Sequence, residues 1–265
     1  MSNLFERLAA NQMGLGVWLK GGPSWVSTIA RAGFDFVRPD MMFSAIDWRE
    51  LDHINRTAQA VGISTWVRVP ANPWLGDADS LQVTVDVQRA FSLGISFVGA
   101  SIASFKQARA CLEVSQDWHR SGAGEYPNSA ASFFAMHQKG ADAAVFVPHI
   151  EAGGAVKEID EILALDGLRI IMLAMTDLSK ALGLPFEYDH PQMWKEVDRI
   201  VSKAQSRNII VAANMGYAFT TPQQMRERVQ RMYQHGIRIC LMQGADSMLE
   251  NLAKAVVGDI RGVLG

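Results

Sequence analysis

Residues 143–179, AAVFVPHIEAGGAVKEIDEILALDGLRIIMLAMTDLS, constrain the fold more than any other stretch. An apolar run over 143–147 ends in Pro148-His149-Ile150-Glu151. A second run, over 168–173, ends in Ala174-Met175-Thr176-Asp177. A single helix fits between them. Consecutive strands of such a β-α-β unit are usually parallel neighbours with a right-handed crossover. Glu151 and Asp177 are therefore expected close together on one edge of a sheet. Two converging carboxylates either repel or hold a hard cation such as Mg²⁺ or Mn²⁺. The competing expectation is that each acid caps the helix that follows it.

The rest of the chain repeats this alternation. Strands are predicted over 13–19, 34–38, 63–69, 95–98, 208–213 and 237–242. Helices are predicted over 24–31, 47–61, 79–93, 104–113, 191–207, 222–235 and 246–257. Gly33, Gly62 and Gly94 stand where helices close, and Pro191 and Pro222 where helices open. Residues 114–131 read as a long Gly-, Ser- and Asn-bearing loop, and 132–139 as a short helix. About eight strand–helix pairs with strands buried on both faces predict a single (β/α)₈ barrel domain over 1–265. An open doubly wound sheet is the runner-up. No G-x-G-x-x-G follows the first strand, so a dinucleotide fold lacks its fingerprint.

Bulk properties narrow the function. A net charge of −2 provides no field for nucleic acid or an anionic membrane. There is neither an N-terminal apolar signal core nor a spanning run, so a cytoplasmic protein is the default expectation. Cys111 and Cys240 form no metal or disulfide pattern.

In a barrel, chemistry gathers at the C-terminal ends of the strands. Those ends read Asp40, Arg68, Gly99-Ala100-Ser101, His149 with Glu151, Thr176 with Asp177, Asn214 and Gln243. Arg68 is flanked by apolar residues in Trp66-Val67-Arg68-Val69-Pro70. It is either a structural ion pair or a binder of an anionic ligand. Asp40 is a metal-water ligand, a partner of Arg68 or a turn residue. His149 lies two positions before Glu151, on the same side of an extended chain. It is a proton carrier, a hydrogen-bond partner or a core histidine. His119, in the long loop, is the other histidine with a conceivable site role. Thr176 and Asp177 open a helix whose backbone N–H groups suit a carboxylate.

The segments GFDFVRPD, TWVRVP, V-x-H-I-E-x-x-x-A-V and MTDLSKALG resemble the HpcH/HpaI family of metal-dependent 2-oxo acid aldolases. The resemblance runs from Leu15 to about Val257. It implies a barrel whose last helix is exchanged between subunits, with dimers assembling into hexamers. By motif position it implies that Glu151 and Asp177 bind the divalent metal. It also implies that Arg68 stabilises the pyruvate enolate, that Asp40 is the acid after the second strand, and that the backbone at Thr176 and Asp177 receives the substrate carboxylate.

The departures from that pattern are specific. The family's Asp-Gly-Glu-His motif reads Asp40-Met41-Met42-Phe43, so Phe43 stands in the histidine position. The acid that pairs with that histidine belongs to an Asp-Val-Gly segment, which here reads Ser92-Leu93-Gly94. His149 replaces a glutamine, and Ala174-Met175-Thr176-Asp177 replaces Gly-Pro-Ala-Asp. The enolate half of the chemistry is thus expected to survive and the proton-shuttling half to differ. The expected activity is a divalent-metal-dependent carbon–carbon lyase, an aldolase acting on a 2-oxo acid. The alternatives are a citrate-synthase-like enzyme condensing an oxo acid such as oxaloacetate with a second partner, or a barrel that has lost aldolase activity.

Overall fold

The computed structural model describes residues 3–121, 145–217 and 219–264. Eight parallel strands close into a barrel in chain order, the first pairing with the last. They are β1 (Gly14–Leu19), β2 (Phe36–Pro39), β3 (Ser64–Arg68), β4 (Phe97–Ile102), β5 (Val145–Ile150), β6 (Ile170–Leu173), β7 (Ile210–Asn214) and β8 (Ile239–Gly244). Helices follow the strands around the outside.

Local chemistry explains the helix ends. Asp47 accepts from the Glu50 N–H and opens the helix Trp48–Val61. Gly62 closes it at φ +79°, a left-handed conformation that strains any residue bearing a Cβ. Thr221 and Gln224 form a reciprocal capping box at the start of Pro222–Gln234.

Alternation along each strand divides the side chains between two cores. One set packs between barrel and helices, including Val37, Val67, Val98, Phe146, Ile171, Val211 and Cys240. The other fills the barrel, including Phe36, Trp66, Phe97, Val147, Met172 and Leu241. Leu4, from the helix Asn3–Ala9, joins this inner set and plugs the N-terminal end. Two residues further along the same strands, the inward positions become Arg38, Arg68, Gly99 and His149. Ascending the barrel therefore passes from a ring-packed floor to a charged mouth.

The single helix expected between β5 and β6 is two short helices, Gly153–Lys157 and Ile159–Leu163, and several boundaries differ from expectation. The helix predicted over 104–113 runs Phe105–Ser121, because buried Ala108, Cys111, Leu112 and Ser115 sustain a helical spacing through a polar stretch. Part of the predicted loop 114–131 is thus helix, His119 included; its remainder and the predicted helix 132–139 lie outside the described residues. Strand β4 runs on through Ile102, since its pairing with β5 continues from Phe97 to Ile102 despite the small residues at 99–101. The last helix runs Ala245–Leu264, longer than the predicted 246–257. Among the described residues no helix is long and apolar enough to cross a membrane.

Candidate active site at the barrel mouth

Arg68, the last residue of β3, is the hub of the mouth. Its Nε donates to Asp40 Oδ1 at 3.0 Å, its Nη2 donates to Asp40 Oδ2, and its Nη1 donates to Glu151 Oε1 at 3.1 Å. The fork geometry of guanidinium suits this two-sided grip. Phe43 lays its ring 4.7 Å from the Arg68 guanidinium carbon. Burial alone would depress the Arg68 pKa, but the charges of Glu151 and Asp40 outweigh it and raise it. Arg68 is a fixed cation.

Asp40 is fully buried and does three jobs. It holds Arg68, it accepts from Arg38 Nη1 at 3.2 Å, and its Oδ1 accepts from the backbone N–H groups of Met42 and Phe43. That last pair fixes the turn carrying Phe43. Burial would raise the Asp40 carboxyl, yet Arg38 and Arg68 beside it hold it below the usual carboxylate range. Asp40 therefore stays ionised.

Glu151 follows β5. Ser101 Oγ donates to its Oε2 at 2.7 Å, which orients the carboxylate from the neighbouring strand. Asp177 lies in the first turn of the helix Met175–Ala181 and pairs with Lys180 at 3.3 Å. Neither acid caps a helix. The N-cap positions are Ala152 and Ala174, without side-chain caps, so the capping expectation fails. Both carboxylates instead line one cavity of about 200 Å³ in the mouth, with Arg68 and Thr176. Asn214 and Gln243 line it too. Asn214 Oδ1 accepts from the Met175 N–H and ties β7 to the Asp177 turn. Thr176 Oγ1 lies 2.9 Å from the Tyr188 hydroxyl.

His149 sits elsewhere. It is fully buried, does not line the cavity, and faces two donors: Arg38 Nη2 at 3.3 Å from its Nδ1 and the Trp66 indole N–H at 3.3 Å from its Nε2. The missing side chain at Gly99 makes room for it, since a Cβ there would overlap the imidazole. Burial first, then the charges of Arg38 and Arg68, push its pKa well below the usual histidine value. It is a neutral ring beneath the mouth.

Several residues of the mouth were not singled out from sequence, among them Arg38, Trp18, Tyr217, Trp74 and Lys180. Arg38 shares the inward face of β2 with Asp40, and that two-residue spacing was its available signal. Trp18 and Tyr217, with ring centroids 6.3 Å apart, line the cavity from β1 and the loop after β7. Their aromatic character reads as core in a linear sequence.

Among the described residues no cluster of three or more His, Cys, Asp and Glu side chains gathers as a metal cage. Two hard oxygen ligands on one open cavity still suit Mg²⁺ or Mn²⁺, which commonly take one or two carboxylates and complete their shells with water and substrate oxygens. Glu151 and Asp177 are that pair, and each retains lone pairs beyond its present contacts.

A profile of the HpcH/HpaI aldolase/citrate lyase family matches residues 16–245. The chain belongs to that family. Among curated HpcH/HpaI relatives, it is 26% identical over 234 residues to a 2-dehydro-3,6-dideoxy-6-sulfogluconate aldolase of Pseudomonas putida, covering 83% of each chain. It is 24% identical over 230 residues to the 2-keto-3-deoxy-L-rhamnonate aldolase of Escherichia coli (strain K12), covering 84% of this chain and 81% of that one. The solved structure of the citrate synthase SbnG superposes with a TM-score of 0.77 at 19% identity over 98% of both chains, a likeness of fold. This HpcH/HpaI barrel thus carries the family architecture with Phe43, not an imidazole, beside its arginine.

Proposed function

We propose that this protein is a divalent-metal-dependent carbon–carbon lyase, an aldolase that acts on a 2-oxo acid through a pyruvate-type enolate. The observation carrying this reading is the buried, doubly anchored Arg68 on the same cavity as Glu151 and Asp177. Glu151 and Asp177 would hold the cation. When bound, it supplies Lewis-acid polarisation of the substrate's oxo and carboxylate oxygens. The backbone at Thr176 and Asp177 orients the substrate carboxylate. Arg68 presents a fixed positive charge to the oxygen that becomes the enolate oxygen, held in place before reaction by Asp40. Asp40 is ionised by its two arginines and acts as a positioning residue. His149 is neutral and enclosed, so its role is also to position. No histidine lines the cavity among the described residues. The proton of the acceptor-derived hydroxyl therefore passes through water.

The acceptor side is apolar. Phe43 and Trp74 line the cavity and are more than half exposed. Sugar-acid aldolases are named among the relatives, and this edge favours an acceptor less polar than theirs. The active assembly is a dimer-built hexamer in the cytoplasm with the last helix exchanged between subunits. Exposed Leu249, Leu252, Val256 and Ile260 support this, because they form one face of that helix.

Exchange of pyruvate methyl protons with D₂O, followed by NMR with Mg²⁺ or Mn²⁺ present, tests the enolate step. The expected result is rapid exchange that falls by roughly 10²-fold or more in Arg68→Ala. Absence of exchange, together with no turnover of oxaloacetate or 4-hydroxy-2-oxo acids, would overturn the proposal and favour a barrel without activity.

A further inference from the structure

Tyr217 lines the cavity with Arg68, Glu151 and Asp177, and the enolate chemistry gives it no task. Of the titratable side chains on that lining, Arg38 and Arg68 are committed to Asp40, and Lys180 to Asp177. Glu151 and Asp177 are the cation's ligands in the proposed site. That leaves the Tyr217 hydroxyl, which makes no hydrogen bond to any described residue. The loop after β7 is built to hold it. On one side of Tyr217, the Met215 N–H donates to the Leu241 carbonyl at 3.0 Å, and buried Arg228 donates through Nε to the Met215 carbonyl at 3.2 Å. On the other, Gln243 Nε2 donates to the Phe219 carbonyl at 2.6 Å. Gly216 turns the chain at φ +90°, so close to the Tyr188 ring that a Cβ would overlap it. The Tyr217 ring leans on Trp18, centroid to centroid 6.3 Å, and Trp18 lies 5.8 Å from the guanidinium carbons of both Arg38 and Arg68. Tyr217 is nonetheless 56% exposed, so burying its ring contributes little to the fold. A loop pinned on both sides of so exposed a ring indicates work at its polar end.

Aldol cleavage needs such a group. The hydroxyl of the acceptor carbon must lose its proton as the carbon–carbon bond breaks, and Phe43 on the rim has nothing to take it. We infer that Tyr217 is the residue that links the acceptor hydroxyl to water, a catalytic proton relay for the aldol step. In cleavage, the substrate O–H gives its proton to the phenolic oxygen while the phenol's own proton passes to water. The acceptor carbon becomes a carbonyl, the carbon–carbon bond breaks, and its electron pair enters the enolate. Synthesis reverses each transfer. A hydroxyl carries one proton to give and lone pairs to receive one, so the residue is unchanged after each passage. Burial raises the Tyr217 pKa above the ordinary 10, against the lowering charges of Arg68 and Arg38, so the phenol is protonated at neutral pH. This inference rests on the 2-oxo acid reading and adds the group that handles the acceptor's proton.

The test compares two reactions that share the enolate and differ in the proton. Decarboxylation of oxaloacetate forms the enolate without a hydroxyl to deprotonate. Cleavage of 4-hydroxy-2-oxopentanoate, or of 4-hydroxy-2-oxo-4-phenylbutanoate, forms it only as the hydroxyl gives up its proton. Both are followed by pyruvate release with Mg²⁺ present, in the wild type and in Tyr217→Phe, which removes the hydroxyl and keeps the ring against Trp18. The expected result is that the ratio of cleavage to decarboxylation falls by roughly 10²-fold in Tyr217→Phe, through kcat and not KM. Cleavage in the wild type is expected to slow in D₂O, and that solvent isotope effect to change in the variant. A ring that merely walls the cavity would lower both reactions together. An unchanged ratio in Tyr217→Phe, or an equal loss of both reactions, overturns the relay. A wild type that decarboxylates oxaloacetate but cleaves neither hydroxy acid overturns it as well, and leaves the enolate site standing. A wild type inactive in both reactions sinks the 2-oxo acid reading along with the relay.

Discussion

At the scale of single residues, Asp40 is the buried carboxylate that Arg38 and Arg68 share. Replacing it with asparagine leaves two buried guanidinium groups facing each other with one carboxylate fewer between them. Breaking a buried ion pair from one side costs roughly 3–5 kcal/mol. Asp40→Asn is therefore expected to lower the denaturation midpoint sharply in urea titrations, and a neutral result would contradict the assigned network. His149 gives the pH dependence. Its folded pKa lies well below the ordinary value of 6.5. The unfolded chain thus binds a proton that the folded chain refuses, and stability falls as the pH drops below 6.5. Asp40 behaves in the same direction at lower pH. Its contribution is present above the ordinary value of 3.8 and is lost as the pH falls through its depressed folded value. His149→Gln is expected to flatten the stability profile between about pH 5 and 7. Urea midpoints across that range check this, and an unchanged slope would argue that the ring is not held neutral. Arg68, Glu151, Asp177 and Asp40 were legible in sequence because each interrupts or ends an apolar run at the C-terminal end of a strand. Arg38 was not, since the following Pro39 and Asp40 read as the stop of the strand. Trp18 and Tyr217 acquire meaning only when the barrel closes and brings β1 beside the loop after β7.

At the scale of elements, caps and pairing set the limits that composition blurs. Pro222 marked the opening of its helix in sequence, and the structure adds the reciprocal Thr221–Gln224 cap. Thr221→Ala is expected to cost about 1 kcal/mol, measured as a shift in the denaturation midpoint. Because Met225, Arg228 and Met232 anchor the same helix, the fold should persist. Where boundaries were misread, tertiary burial had overridden local composition. The polar continuation of Phe105–Ser121 holds its helix through buried Ser115, and the small residues of β4 hold their strand through pairing with β5. The last helix shows the converse. Leu249, Leu252, Val256 and Ile260 recur at three- and four-residue spacing and remain exposed in one chain. Leu252→Glu is expected to break the proposed assembly into smaller species in sedimentation velocity. An unchanged sedimentation coefficient would remove that face from the interface.

At the scale of the whole molecule, the barrel was readable because strand–helix alternation leaves few closures, and parallel strands place every C-terminal end on one rim. Assembly is less readable, since an apolar row on a terminal helix names neither what covers it nor any symmetry. The ring-packed floor beneath the mouth has a kinetic consequence. Phe36, Trp66 and Phe97 fill the barrel below His149, and Leu4 closes the end. Among the described residues that leaves one door, so whatever enters first also leaves last. Under the proposed aldol cleavage, an acceptor fragment nearest the opening would depart before the oxo acid. Pyruvate should then be a competitive product inhibitor and the departing carbonyl fragment a mixed one. In synthesis, the oxo acid must queue ahead of its partner.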